Sequence, residues 1–360
     1  MEEELKMNKK LSRILSIALS VVVMASVLAG CGSKPAASSG SSSSSSSEST
    51  STEAPVETRV LKLSHHCTEG DSNDILFNKF AELVKEKTNG EIEIDIYANG
   101  QLYGQKDALE ALKLGTLDMA MSDTALWANY DPACGILDMP YIFKSRDHAI
   151  KVASSDIIDP IKERLVESAG IRPILVECLN FRNSFVKDMS IDSFEDFKGL
   201  KMRTPEAPMT IAAFEAIGAN PVVIPSGEAY TAVQTGVADG LEGHAEYMVL
   251  QKFYEVAKNY VLTQHVMTFT ALNMSEKVYQ TLTDSQKEAF AEAGAEALEY
   301  FYDYTDKLFD EKFAELEANG VKITDIDRTP FEEACAPFIQ NFIEENDLQD
   351  LYDAIMEAAE

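Results

Sequence analysis

Positive charge is scarce in this chain. Its 360 residues carry 31 Lys and Arg against 60 Asp and Glu, a formal net charge of −29. So acidic a surface repels nucleic acid and anionic lipid, and neither is expected as a charge-recognised partner. The same scarcity makes an arginine among apolar neighbours conspicuous. Catalytic signatures are missing too. The sequence holds no GxSxG, HExxH, GxxxxGK[ST] or GxGxxG pattern, which leaves no support for a nucleophile elbow, a zinc peptidase, a phosphate loop or a dinucleotide fold. No cofactor and no enzyme activity are expected. Gly70-Asp71-Ser72 imitates the nucleophile block of GDS-type hydrolases, but that chemistry needs a histidine near the C-terminus. The five histidines stand at 65, 66, 148, 244 and 265, so a helix start is the better account of Ser72. Cysteines are few (31, 67, 134, 178 and 335) and show no CxxC or CxxH spacing, so no metal site is expected. The last four allow two disulfides or none.

What is present begins with Cys31. Lys9, Lys10 and Arg13 precede an uncharged run from Ile14 to Val27, followed by Leu28-Ala29-Gly30-Cys31. That is the order of a secretory signal with a lipoprotein ending. Residues 1–31 direct export, and Cys31 takes a lipid to become the first residue of the mature chain. The apolar run is too short for a spanning helix. Glu2, Glu3 and Glu4 are out of place in a positive leader, which points to initiation at Met7. Residues 32–58 follow as a tether, with eleven serines between Ser38 and Ser51 and almost no apolar side chains. Such a composition cannot offset the entropy of ordering. About 25 residues of flexible coil reach roughly 25–30 Å, which holds a domain near the membrane yet free to tumble. The expected location is extracytoplasmic, anchored to the cell membrane through lipid on Cys31.

About 300 residues remain, enough for two lobes with separate cores. Arg59 to Ser64 reads as a strand, and Asp71 or Ser72 caps a helix with Leu76, Phe77, Phe80 and Val84 on its apolar face. Glu91 to Tyr97 alternates as a strand does, Lys106 to Leu114 is helical up to Gly115, and Leu117 to Ser122 forms a third strand. This succession implies an α/β unit with a largely parallel sheet. A second unit runs from strand 174–179 through Gly199–Arg203, helix 208–217, strand 221–224, helix 228–235 and a short strand at Asp239-Gly240-Leu241. Past Leu282 the pattern is helical, capped by Thr283-Asp284 and continuing to about Ala318. Two α/β units facing one another place a ligand site between them, beyond the carboxyl ends of their strands.

Arg182 and Arg203 lie just past strand regions of the second unit, among apolar neighbours. A guanidinium offers a planar fork of donors that matches a carboxylate, so each is a candidate to bind an acid in the cleft, with a surface salt bridge as the alternative. Asp123, at the exit of the third strand, is a turn residue or a ligand contact. Trp127, the only tryptophan, is a pocket wall or lobe core. His65 and His66 point to opposite faces if the strand runs through them, so they do not chelate together. His65 is a candidate at the cleft mouth, with a satisfied structural histidine as the alternative.

Gly199-Leu200-Lys201-Met202-Arg203-Thr204-Pro205, Gly218-Ala219-Asn220-Pro221 and the block from Glu228 to Gly240 resemble the solute-binding proteins of TRAP transporters, the DctP-type family. Phe253-Tyr254-Glu255-Val256 and Gly115-Thr116-Leu117-Asp118-Met119 fit as well, so the resemblance spans roughly residues 59–330. It implies a two-lobed, periplasmic-binding-protein-like (type II) fold with a cleft between lobes and a long helix bracing both. The lobes would comprise 59–179 plus 268–305 and 180–267 plus 306–360. It also implies a receptor that closes on a small organic acid and delivers it to the small and large membrane permease subunits. Arg203 matches the family's carboxylate-clamping arginine and Arg182 a second pocket arginine. Asp123 stands where sialic-acid binders carry a glutamate, Trp127 where they carry an aromatic, and Glu206 where they carry an asparagine. Glu242 is kept from the family sequence DGQEN, while Gly243 replaces its asparagine, Leu126 replaces a further arginine, and Ser226 replaces a phenylalanine. These departures weigh against sialic acid and leave dicarboxylates, 2-oxo acids, sugar acids and aromatic acids open. Two rivals are a receptor presenting its solute to a membrane sensor kinase and a surface-anchored hydrolase using Ser72.

Overall fold

A computed structural model describes residues 58–359. The expected signal segment, Cys31 and nearly all of the expected tether lie outside the described residues. Among those described, nine strands form one sheet in the order β2-β1-β3-β8-β4-β7-β5-β6, with β9 beside β8. The strands are β1 (Arg59–Ser64), β2 (Ile92–Tyr97), β3 (Met119–Asp123), β4 (Ile171–Val186), β5 (Lys201–Thr204), β6 (Asn220–Val223), β7 (Gly240–Gly243), β8 (Asn259–Ser275) and β9 (Lys322–Asp325).

The first helix, Ser72–Lys87, shows how local chemistry sets these elements. Asp71 is its N-cap, accepting the backbone N–H of Asp74, so the cap falls to Asp71 rather than Ser72. Leu76, Phe77, Phe80 and Val84 are fully buried, each worth about 1.5–3 kcal/mol relative to exposure. The helix stops where Asn89 and Gly90 take positive φ, 50° and 79°.

The sheet is mixed, not largely parallel. Each flank is parallel: β1 pairs with β2 and β3 on one side, and β5 with β6 and β7 on the other. Between them β4 and β8 run antiparallel to each other, β8 antiparallel to β3 and β4 to β7, while β9 joins β8 in parallel. Both are long, at 16 and 17 residues. The start of β4 faces the end of β8 next to β3, and its far half, Asn183 to Val186, pairs with β7. These two strands therefore pass from one lobe into the other. Phe181-Arg182-Asn183, expected beyond a strand end, lies inside β4 where the register shifts.

A third crossing is the helix Asp284–Ala318, capped by a Thr283–Gln286 box. Phe290, Ala293, Ala297 and Phe301 pack with Leu61, Phe77 and Met121 in the first lobe, and Leu316 packs with Phe185 and Tyr260 in the second. At 35 residues it is about 52 Å long. Arg146 ties its middle to β4, donating to the Leu179 carbonyl at 2.7 Å, Thr305 Oγ1 at 2.6 Å and Asp306 Oδ1 at 2.9 Å. The C-terminal helices, Thr329–Glu345 and Gln349–Glu357, visit both lobes. Phe331 and Cys335 pack with Phe197 and Phe214, whereas Phe342, Ile343 and Ile355 pack with Leu109, Val152 and Ile161. Among the described residues Cys67, Cys134, Cys178 and Cys335 are unbridged. Among the described residues no helix is long and apolar enough to cross a membrane.

A candidate ligand cleft

The carboxyl ends of β1, β3, β5 and β7 converge between the lobes, and the expected site residues sit on or just beyond them. Arg203, in β5, is 2 % exposed. Its Nε donates to the Ile224 carbonyl at 2.8 Å. Among the described residues its Nη1 and Nη2 meet no protein acceptor, which leaves the outer face of the fork without a partner.

Close by is a polar group from the other lobe. Asp123 receives the Gln105 side-chain amide at 3.4 Å, and its own N–H donates to Gln105 Oε1 at 2.8 Å. That second bond fixes the amide, whose Nε2 then donates to His66 Nε2 at 3.1 Å. The ring proton of His66 therefore sits on Nδ1, a buried atom with no protein partner. Burial pulls the His66 pKa down, Asp123 pulls it up, and His65 and Arg203 pull it down further. The Arg203 charge is thus felt at His66.

Arg182 is differently placed. Its Nη2 donates to Glu242 Oε1 at 2.6 Å and its Nε to Glu242 Oε2, so both carboxylate oxygens are taken. His265 stands 3.6 Å from the same carboxylate and is held by Thr263 at 2.8 Å. Burial opposes charge on both partners. Their mutual attraction outweighs it, holding Glu242 well below the usual carboxylate range and raising Arg182 above its own.

Three expected residues stand elsewhere. His65 turns into the first lobe, where Nε2 meets Asp74 Oδ1 at 3.1 Å and the ring lies 5.6 Å from that of Phe77. β1 ends at Ser64, so both histidines lie in the loop beyond it, and His66 is the one beside Asp123. Trp127 has no exposed surface and packs in the core with Leu109 and Ile136. Glu206 reaches the rim, its carboxylate 2.7 and 2.8 Å from Lys106 of the opposite lobe, with both side chains more than half exposed. Ser72, the decoy nucleophile, donates its hydroxyl to Glu246 at 2.6 Å and has no histidine partner. Sequence reasoning missed His66 as the cleft histidine, together with Gln105, Lys106 and Glu246. Each is defined by a partner on a distant segment, so no local pattern marks it. Among the described residues no group of three or more His, Cys, Asp or Glu side chains is arranged to hold a metal ion.

The sequence profile of the bacterial extracellular solute-binding proteins, family 7 (DctP), matches residues 63–346. The chain belongs to that family. The solute-binding protein RD1_1052 of Roseobacter denitrificans is 30% identical over 275 residues, covering 76% of this chain and 84% of the relative. The 2,3-diketo-L-gulonate-binding periplasmic protein YiaO of Escherichia coli is 29% identical, with the same coverage of 76% and 84%. A TRAP periplasmic solute-binding protein from Citrobacter koseri, solved with bound D-glucuronate, is 28% identical and superposes with a TM-score of 0.79 over 83% of this chain and 99% of its own. The Roseobacter denitrificans protein was solved with L-galactonate, at 28% identity and a TM-score of 0.76 over 84% of this chain and 98% of its own. Family 7 membership and the two-lobed α/β fold expected from the sequence are thereby established. Receptors of this family are extracytoplasmic solute binders rather than enzymes.

Proposed function

We propose that this chain is the extracytoplasmic receptor of a TRAP transporter, closing on a sugar acid whose single carboxylate is gripped by Arg203. It would hand that solute to the membrane permease subunits while lipid on Cys31 keeps it at the membrane. One observation carries this assignment. Arg203 is almost wholly buried yet spends one N–H on the protein. Its Nη groups stay open to the cleft, where the two oxygens of a carboxylate match the free side of the fork.

The accounting of charge favours one carboxylate over two. Arg182 is neutralised by Glu242 and Lys106 is paired with Glu206. Arg203 alone among these three cations has no carboxylate partner. Nearby, the Asp123 carboxylate offers acceptors and His66 an unpartnered Nδ1–H, a neutral-to-negative polar surface suited to hydroxyl groups and hostile to a second carboxylate. A polyhydroxylated monoacid fits both halves, and the relatives solved with D-glucuronate and L-galactonate are of that class. Arg182 and Glu242 would support the pocket from behind. Asp123 would read hydroxyls, Trp127 would stiffen the wall from within the core, and Glu206 would close the rim. His65 would hold the loop that presents His66.

Titration calorimetry of the full chain against D-glucuronate, L-galactonate and succinate tests this. The sugar acids should bind and the dicarboxylate should not. Arg203→Ala should weaken binding by about 2–5 kcal/mol, roughly 30- to 5000-fold. An unchanged dissociation constant would remove the assignment of the clamp.

A further inference from the structure

Two acids are buried where the lobes meet, each against a hydroxyl of the opposite lobe. Asp138 of the first lobe is 5% exposed and accepts from Thr210 Oγ1, on the helix Pro208–Ala216, at 3.0 Å. Glu246, on the helix Ala245–Leu250 of the second lobe, is 4% exposed. It accepts from the backbone N–H of Ser72 at 3.1 Å and from Ser72 Oγ at 2.6 Å, at the start of the first helix. Among the described residues neither carboxyl forms an ion pair.

We propose that these two contacts are proton-linked latches: the lobes close most readily when Asp138 and Glu246 carry protons, so ligand binds more tightly as pH falls. This rests on the lobes closing over an organic acid, as above, and adds how that closure is regulated. Opening returns each carboxyl to water, where it ionises at ordinary acid values. Closing removes it from water with no cation bonded to it.

The surroundings of each acid set the sign. Asp138 faces Arg182, which favours ionisation, and Glu242 and Asp123, which oppose it. Burial is the largest influence and pushes Asp138 up to about 7. Glu246 faces Ser72 and Lys312, which favour its charge, with Asp71 and Tyr304 also beside it. Burial again dominates and raises it. The closed form therefore binds more protons than the open form, and affinity is lost as pH rises through the closed-state values. Burial lowers His66, His244 and His265 below 6.5, an opposing linkage confined to lower pH. The test belongs above that range.

The probe is D-glucuronate, whose carboxyl stays ionised throughout, titrated into the full chain from pH 6.5 to 8.5 in buffers of differing ionisation enthalpy. One carboxyl at about 7 in the closed form should raise Kd roughly fourfold across that span, with Glu246 adding in the same direction and net proton uptake on binding. D138N and E246Q imitate the protonated acids, so each should bind at pH 6.5 at least as tightly as the unaltered chain and flatten part of the slope. The double variant should lose most of the slope and of the uptake, and Asp71, which burial raises to about 7 beside the same contact, accounts for what is left. A pH-independent Kd without proton uptake overturns the proposal, as does an unchanged slope in the double variant. Should D-glucuronate not bind at any pH, the proposed ligand class fails while the latch remains testable. In a C67S background, K106C/E206C joined by a short bis-maleimide holds the rim shut. There the Asp138 carboxyl carbon should titrate near neutrality, and an ordinary carboxylate value in the bridged form overturns the proposal.

Discussion

The two arginines of the cleft make opposite use of the same side chain. Arg182 lies within the long strand β4 and gives its fork to Glu242, so its charge is answered inside the protein. Arg203 is buried where Arg182 is only partly so, yet apart from one bond to a backbone carbonyl its fork is left for something else. One is part of the architecture and the other is an unfinished contact. A buried arginine therefore signals a ligand only when its carboxylate is missing. In this chain a census of positive charge finds both, and only the partner list separates them.

The comparison can be broken most forcefully at Glu242. Glu242→Ala leaves Arg182 charged, buried and unpaired, and should cost about 3–5 kcal/mol of folding stability by denaturant unfolding. Stability within experimental error of the unaltered chain would place Arg182 in the same class as Arg203. Because Glu242 is held below its ordinary value, the pair's contribution is intact above about pH 4.5 and fades only in strong acid, as Glu242 protonates. Arg203→Ala should do the reverse. Its affinity loss of about 2–5 kcal/mol should come with a folding change under about 1 kcal/mol, read as ligand-free unfolding against calorimetric Kd.

A finer contrast lies at Glu177, a fully buried acid on β4 that accepts from Thr270 and has no cation beside it. Burial pushes it up to about 8 from 4.5. The folded chain keeps a proton there that the unfolded chain releases, so stability is lost as pH rises between those values. Glu177→Gln cannot titrate, and its advantage over the unaltered chain should grow by on the order of 1–3 kcal/mol between pH 5 and pH 8. A thermal-shift series would show it, and parallel curves would refute it. The smallest effect belongs to the exposed rim pair. Lys106→Met should change affinity only slightly by calorimetry, and less still at high salt.

Much of the fold was legible because short-range chemistry decides it. The cap at Asp71, the apolar face from Leu76 to Val84 and the left-handed stop at Gly115 all follow from adjacent residues. The long crossing strands did not show themselves. β8 is buried almost throughout, so it lacks the alternation of a half-exposed strand. The periodicity of β4 is interrupted where its register shifts near Pro173, Cys178 and Arg182. At the site, the arginine at position 203 could be picked out by charge scarcity and by family resemblance. His66 and Gln105 could not, since they matter only through a third residue brought from another segment. The rim position of Glu206 was hidden for a related reason: its partner Lys106 lies a hundred positions away.

Two bodies joined at a single point can swivel in any direction. Here β4, β8 and the 35-residue helix all bridge the same gap, so twisting or sliding would stretch at least one of them, and bending along their common line is the soft mode that is left. Whatever tugs on the jaw, a solute at its centre or hydrogen ions at its edges, pulls along that one coordinate, and their pulls should sum.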